Sequence, residues 1–105
     1  MNYNLLFEEL KNQEYEKVYK SIDSVSSDEF DLNIRDDVGN YIINYTVIFN
    51  QQKLLKLLID KGARIDVIDT DGKGLLYYPI KYNYYEIAKM LIEYNTKSVG
   101  ISIHN

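Results

Sequence analysis

A set of turn residues recurs in this chain at a fixed distance. Asp36-Asp37-Val38-Gly39 is answered by Asp69-Thr70-Asp71-Gly72, so Gly39 and Gly72 stand 33 residues apart. The register then runs on without a gap. Ile43 matches Leu76, Asn50 matches Asn83 and Lys56 matches Lys89. The run Leu54, Leu55, Leu57, Leu58, Ile59 matches Ile87, Ala88, Met90, Leu91, Ile92. A repeat of this length is one supersecondary unit that cannot bury its apolar face alone. Neighbouring units must stack, and the chain becomes a short solenoid.

Each unit reads as turn, helix, turn, helix, which makes the fold all-α. Asp bonds nearby backbone and Gly tolerates positive φ, so Asp69–Gly72 is a turn. A short apolar segment follows over 42–49 and again over 75–82, and Asn50 and Asn83 break it. The second segment, over 52–61 and 85–94, has apolar residues at the i, i+1, i+3, i+4 spacing of an amphipathic helix. Gly62 and Asn95 stand where a helix ends on a left-handed residue. Pro79 falls inside the first segment of its unit, where a missing N–H is expected to kink the helix.

A weaker unit comes first. Leu5, Leu6, Phe7 and Leu10 suit one helix, and Glu14–Asp23 with Val18 and Ile22 suits the next. It is set 37 residues before the second unit rather than 33, which places a lengthened polar loop at Ser24-Val25-Ser26-Ser27. The chain therefore reads as one domain with units at 4–33, 36–68 and 69–98 and a tail from 99 to 105.

These residues resemble the ankyrin repeat family, whose pattern has an Asp-x-x-Gly turn, a Thr-Pro-Leu-His box and a Gly-Ala-Asp-x-Asn stretch. The turns are kept, and Lys61-Gly62-Ala63-Arg64-Ile65-Asp66 matches the later stretch with Arg64 in place of its Asp. Tyr41-Ile42-Ile43-Asn44 and Gly74-Leu75-Leu76-Tyr77 stand where the box should be, so its usual cap is missing or substituted. The wealth of Tyr, Ile and Asn is similar to that of ankyrin proteins from large DNA viruses of amoebae. The resemblance implies a helical solenoid of about three repeats that binds a protein partner on its concave face. The family's contact positions fall on Asp37, Val38, Asn40, Ile48, Phe49 and Ile68 in the middle unit. In the last they fall on Thr70, Asp71, Lys73, Lys81 and Tyr82. Phe49 and Tyr82 are the expected anchors, since aromatic rings supply contact area at low entropic cost.

Other chemistries find little support. A net charge of −4 and scattered basic residues argue against nucleic acid and against an anionic membrane surface. The chain has no cysteine, hence no disulfide or thiolate site, and one histidine, His104, which cannot hold zinc alone. Read as a calcium loop, the segment from Asp69 would place Lys73 and Ile80 at ligand positions. No cofactor or metal is expected, and nothing supplies a nucleophile, a base and a pocket together. The start of the chain lacks the basic and apolar regions of a signal peptide, so a cytoplasmic or nuclear setting is expected.

The leading expectation is thus a non-catalytic interaction module or adaptor. Two alternatives stand beside it: an N-terminal targeting domain of a larger enzyme, and a self-associating structural protein. The last bears on the C-terminal end, where Tyr84, Tyr85, Ile87 and Met90 leave the final unit without an obvious polar cap. Val99, Ile101 and Ile103 alternate as in a strand. A tail folded back over the last repeat, more chain beyond, or pairing of two copies through that face would each cover it.

Overall fold

Gln13, Asn50 and Asn83 share a backbone conformation that L side chains avoid, with φ of 61°, 56° and 62°. They stand 37 and 33 residues apart, the intervals read from the sequence, and each lies between the two helices of a pair. The computed structural model describes the backbone of residues 2–26 and 28–99. Its described residues form six helices: α1 (Tyr3–Lys11), α2 (Tyr15–Asp23), α3 (Ile42–Ile48), α4 (Gln52–Asp60), α5 (Tyr77–Lys81) and α6 (Tyr85–Val99). The first helices pack in one row, α1 on α3 on α5, and the second helices in another, α2 on α4 on α6. Each row is held to the other through the helix pair of every repeat.

Two fingers join the repeats. Arg35 bridges Tyr41 and Ile68 bridges Gly74, each an isolated antiparallel pair closing a tight turn. The turns are alike bond for bond. Asp36 N–H donates to the Asn40 carbonyl at 2.8 Å, and Asp69 N–H to the Lys73 carbonyl at 2.9 Å. Gly39 and Gly72 take positive φ of 89° and 76°, as such turns require. The two fingers also touch. A Cβ on Gly39 would come within 2.9 Å of the Thr70 methyl, whereas one on Gly72 meets nothing within 4 Å. Gly39→Ala is expected to cost roughly 1–2 kcal/mol for the left-handed backbone alone. Chemical denaturation should show it more harmful than Gly72→Ala.

The core is mainly aliphatic, with Phe7, Phe30 and Tyr45 among its buried residues, and is continuous through all three repeats. Leu10, Ile22, Ile42, Leu55, Leu58 and Ile87 are fully buried within it. Polar links cross between repeats as well. The Asn33 side chain accepts the Arg64 N–H at 3.0 Å, and Lys61 donates to the carbonyls of Asp23 and Val25. The lengthened loop after α2 is thereby tied to the repeat that follows.

The substituted box still caps its helix. Asn44 is buried, and its side-chain oxygen accepts the Tyr41 N–H at 2.7 Å, satisfying a donor at the start of α3. Thr46 donates back to the Ile43 carbonyl at 2.7 Å. The third repeat has Tyr77 in that place, and α5 begins with no side-chain cap.

Two helix expectations are corrected. Pro79 does not kink a helix over 75–82. It shortens it: Leu75 and Leu76 lie in a turn and α5 starts at Tyr77. Pro79 then occupies the first turn, where an N–H has no helical partner to lose. Nor does Asn95 end the last helix, since α6 runs on to Val99. Its counterpart Gly62 has φ of 97°, which glycine reaches without the steric cost that a Cβ adds, and helical backbone is the cheaper state for asparagine. Of the expected tail strand, Val99 ends α6, and Ile101 and Ile103 lie outside the described residues.

Candidate protein-docking face

The finger tips and the free side of the first-helix row form one surface. At the first finger, Asp37 and Val38 project into solvent, and at the second, Ile68, Thr70 and Asp71 do. Val38, at the tip of the first finger, and Ile68, at the base of the second, are each 54% exposed, a high value for aliphatic side chains. Lys11 lies 3.5 Å from carboxylate oxygens of both Asp36 and Asp37. An open hollow of about 420 Å³ lies there, lined by Asn4, Phe7, Glu8, Lys11, Asp36 and Asp37.

Asp36 organises the first finger. One of its oxygens accepts N–H bonds from Asn40 at 2.8 Å and Val38 at 3.2 Å. The other accepts the hydroxyl of Tyr45, which rises from α3. Burial alone would raise the Asp36 carboxyl, but the Tyr45 hydroxyl, the two N–H groups and Lys11 together outweigh it and hold it below the usual range. Burial, then the bond to Asp36, pushes Tyr45 up to about 12. Asp69 makes the same two backbone bonds, both at 2.9 Å.

The other half of the surface is aromatic. Tyr77 and Tyr78 meet edge to face at 5.0 Å, Tyr78 stacks on Tyr82 at 6.2 Å, and Tyr82 tilts against Tyr84 at 5.9 Å. Two cations rest on these rings. Lys73 lies 4.6 Å from the Tyr77 centroid, and Lys81 lies 5.6 Å from Tyr77 and 5.5 Å from Tyr82. Such contacts hold a lysine in place while leaving its ammonium wet. The nearby tyrosine oxygens raise the Lys81 ammonium above its ordinary value.

The structure divides the sequence-derived contact positions. Asp37, Val38, Ile68, Thr70, Asp71, Lys81 and Tyr82 are exposed, and Lys73 is half-buried against Tyr77. Three others are held within the fold. Asn40 is half-buried and its backbone closes the first turn in both directions with Asp36. Ile48 is half-buried. Phe49 lies between Tyr15 of the preceding repeat at 6.1 Å and Tyr45 at 6.3 Å, so it serves as packing between repeats. Of the two expected anchors, Tyr82 is available and Phe49 is engaged. Tyr77 and Tyr78 were absent from the sequence-derived set. Tyr77 fills the last position of the family's box and Tyr78 follows it, so in sequence they read as a lost cap and not as part of an aromatic cluster.

The comparisons agree with the helical-repeat fold. Residues 5–102 match the family model for ankyrin repeats in three copies, and the chain belongs to the ankyrin repeat family. Ankyrin repeats are in general protein–protein interaction modules and typically non-enzymatic scaffolds. The chain is 45% identical over 102 residues to an ankyrin repeat protein of Acanthamoeba polyphaga mimivirus, covering 97% of this chain and 13% of that protein. It is 28% identical over 72 residues to the E3 ubiquitin-protein ligase hecd-1 of Caenorhabditis elegans, covering 69% of this chain and 3% of that protein. The chain thus spans a small fraction of the length of either relative. Among the described residues no helix is long and apolar enough to cross a membrane.

Proposed function

We propose that this chain is a non-catalytic docking module that binds a protein partner along its finger tips and first-helix row. The observation that carries the reading is the exposure of two aliphatic side chains on the fingers, Val38 and Ile68, together with the ring cluster around Tyr82, which Lys73 links to the second finger through Tyr77. Aromatic anchors rimmed by polar groups are the composition of protein interfaces. Asp37, Thr70, Asp71, Lys73 and Lys81 supply that rim and set which partner charges are tolerated. An adaptor role in the cytoplasm or nucleus fits this surface and the lack of cysteine.

The test is an affinity selection of the folded chain against a displayed library of protein fragments. Binders selected on the native protein are expected to lose about 30-fold in affinity when Tyr82 is truncated to alanine, the scale of an interface hot spot. Val38→Asp should weaken them further, while circular dichroism remains unchanged because both side chains stand outside the core. Binders indifferent to both substitutions would place the docking face elsewhere.

A second reading rests on the relatives' lengths. One of them is an E3 ubiquitin-protein ligase in which the matching stretch is 3% of the chain. A repeat segment similar to this one thus occurs within a larger enzyme, and on this reading the present chain is the targeting part of one. Fusion of the chain to a reporter enzyme should then direct modification to the selected binders, and Tyr82→Ala should abolish that.

A further inference from the structure

The chain carries more acid than base, with a net charge of −4, and several of its cations are already answered within the fold. Lys11, Lys17, Lys56 and Arg64 each meet a carboxylate, and Lys61 donates to two backbone carbonyls. Among the described residues the ammonium groups of Lys73 and Lys81 have neither kind of partner. They rest on rings, and both rest on the same one. Lys73 lies 4.6 Å and Lys81 5.6 Å from the Tyr77 centroid. Arg35 and Lys53 also lie over rings, but among the described residues each has its ring to itself. Like charges repel, so two ammonium groups gathered on one ring make a local excess of positive charge.

The second finger does not cancel that excess by direct pairing. Asp69 is buried, and its carboxylate accepts the N–H groups of Asp71 and Lys73. Asp71 is exposed and forms no ion pair among the described residues. The rings around the two lysines prepare them for an anion. Tyr78 stacks on Tyr82 beside Tyr77, and burial raises the Tyr78 hydroxyl above its ordinary value, a mark of surroundings poorer in water. An ion pair formed there is screened less than one in open solvent. The ring contacts also hold the lysine stems, so less side-chain freedom is lost when an anion arrives.

We infer that Lys73 and Lys81 are the anion-recognising part of the docking face and take a carboxylate from an acidic segment of the partner protein. The inference rests on the docking role proposed above and adds the chemistry of the partner. A basic segment would set like charges together at this point. A nucleic acid is a continuous polyanion, and the exposed carboxylates of Asp37 and Asp71 on the fingers would repel its neighbouring phosphates. An acidic peptide segment brings its charge locally and avoids them.

The experiment selects displayed peptides of unbiased composition on the full chain and sequences the survivors. Asp and Glu should be enriched over the starting library. A selected acidic peptide should lose about tenfold in affinity on Lys81→Glu and keep most of it on Lys81→Arg, which retains the charge. Its affinity should also fall as salt is raised. Exchanging the acidic residue of the peptide for lysine should restore binding to the Lys81→Glu chain. The Lys81 side chain is exposed, so circular dichroism should be the same for all three chains. Peptides that require Tyr82 but carry no excess of acid and tolerate Lys81→Glu overturn this inference and leave the docking face in place. Acidic peptides that need Lys81 and ignore Tyr82→Ala support the lysine pair and move the anchor of the face away from Tyr82. An oligothymidylate that outcompetes the peptides and is lost on Lys81→Glu would assign the pair to phosphate and overturn the inference too.

Discussion

Asp36→Ala is expected to destabilise the domain by about 3 kcal/mol, the loss of several charge-assisted hydrogen bonds with their donors left behind. The Tyr45 hydroxyl would lose its acceptor, and so would the N–H groups of Val38 and Asn40. Asp69→Ala removes the two backbone bonds alone and should cost about 1–2 kcal/mol. The carboxyl of Asp36 is held below its ordinary value in the folded state, despite burial acting against this. The unfolded chain therefore takes up the proton first. The contribution is whole above the unfolded value of about 4 and disappears as pH falls through the folded value. Urea denaturation at neutral pH and at acidic pH should show the gap between native protein and Asp36→Ala closing in acid. A gap that stays constant would mean that the carboxylate charge is irrelevant to the finger.

Leu58→Ala should cost about 2–5 kcal/mol, the range for removing a fully buried leucine. Leu58 is completely buried in the core shared by all three repeats, so the cavity cannot be relieved by solvent. Domains of this size hold only about 5–15 kcal/mol in all. The variant is thus expected to melt at a markedly lower temperature. Ile80→Ala, at a position 64% exposed, should change the midpoint very little. Equal losses at the two positions would contradict both the burial of Leu58 and the exposure of Ile80. This pair also separates stability from docking, because neither residue belongs to the surface around Tyr82.

Much of the fold was legible in the sequence because the repeat is local. Turn chemistry at Asp36–Gly39 and Asp69–Gly72 sets the register, and that register reappears in the positive φ of Gln13, Asn50 and Asn83. Helix α3 and helix α4 fall within a residue of the expected segments. The misreadings came where one residue has two local outcomes. Pro79 can break a helix interior or begin a helix, and Asn95 can end a helix or continue one. Which outcome holds depends on where the helix starts and on what lies beyond it.

The docking face was legible only in part, for a physical reason. Sequence spacing tells which side of a helix a residue occupies, but not which neighbour already covers it. Phe49 and Tyr82 occupy equivalent positions, yet Tyr15 covers the first and the second stands half-exposed among Tyr78, Tyr84 and Lys81. The sequence alone determined the repeat, its period, the turns and the all-α stack, since these arise from bonds and periodicities within a few tens of residues. The tertiary structure alone decided which side chains the stacking consumes and which it leaves. Burial belongs to contacts between repeats, and it separated Tyr82 from Phe49.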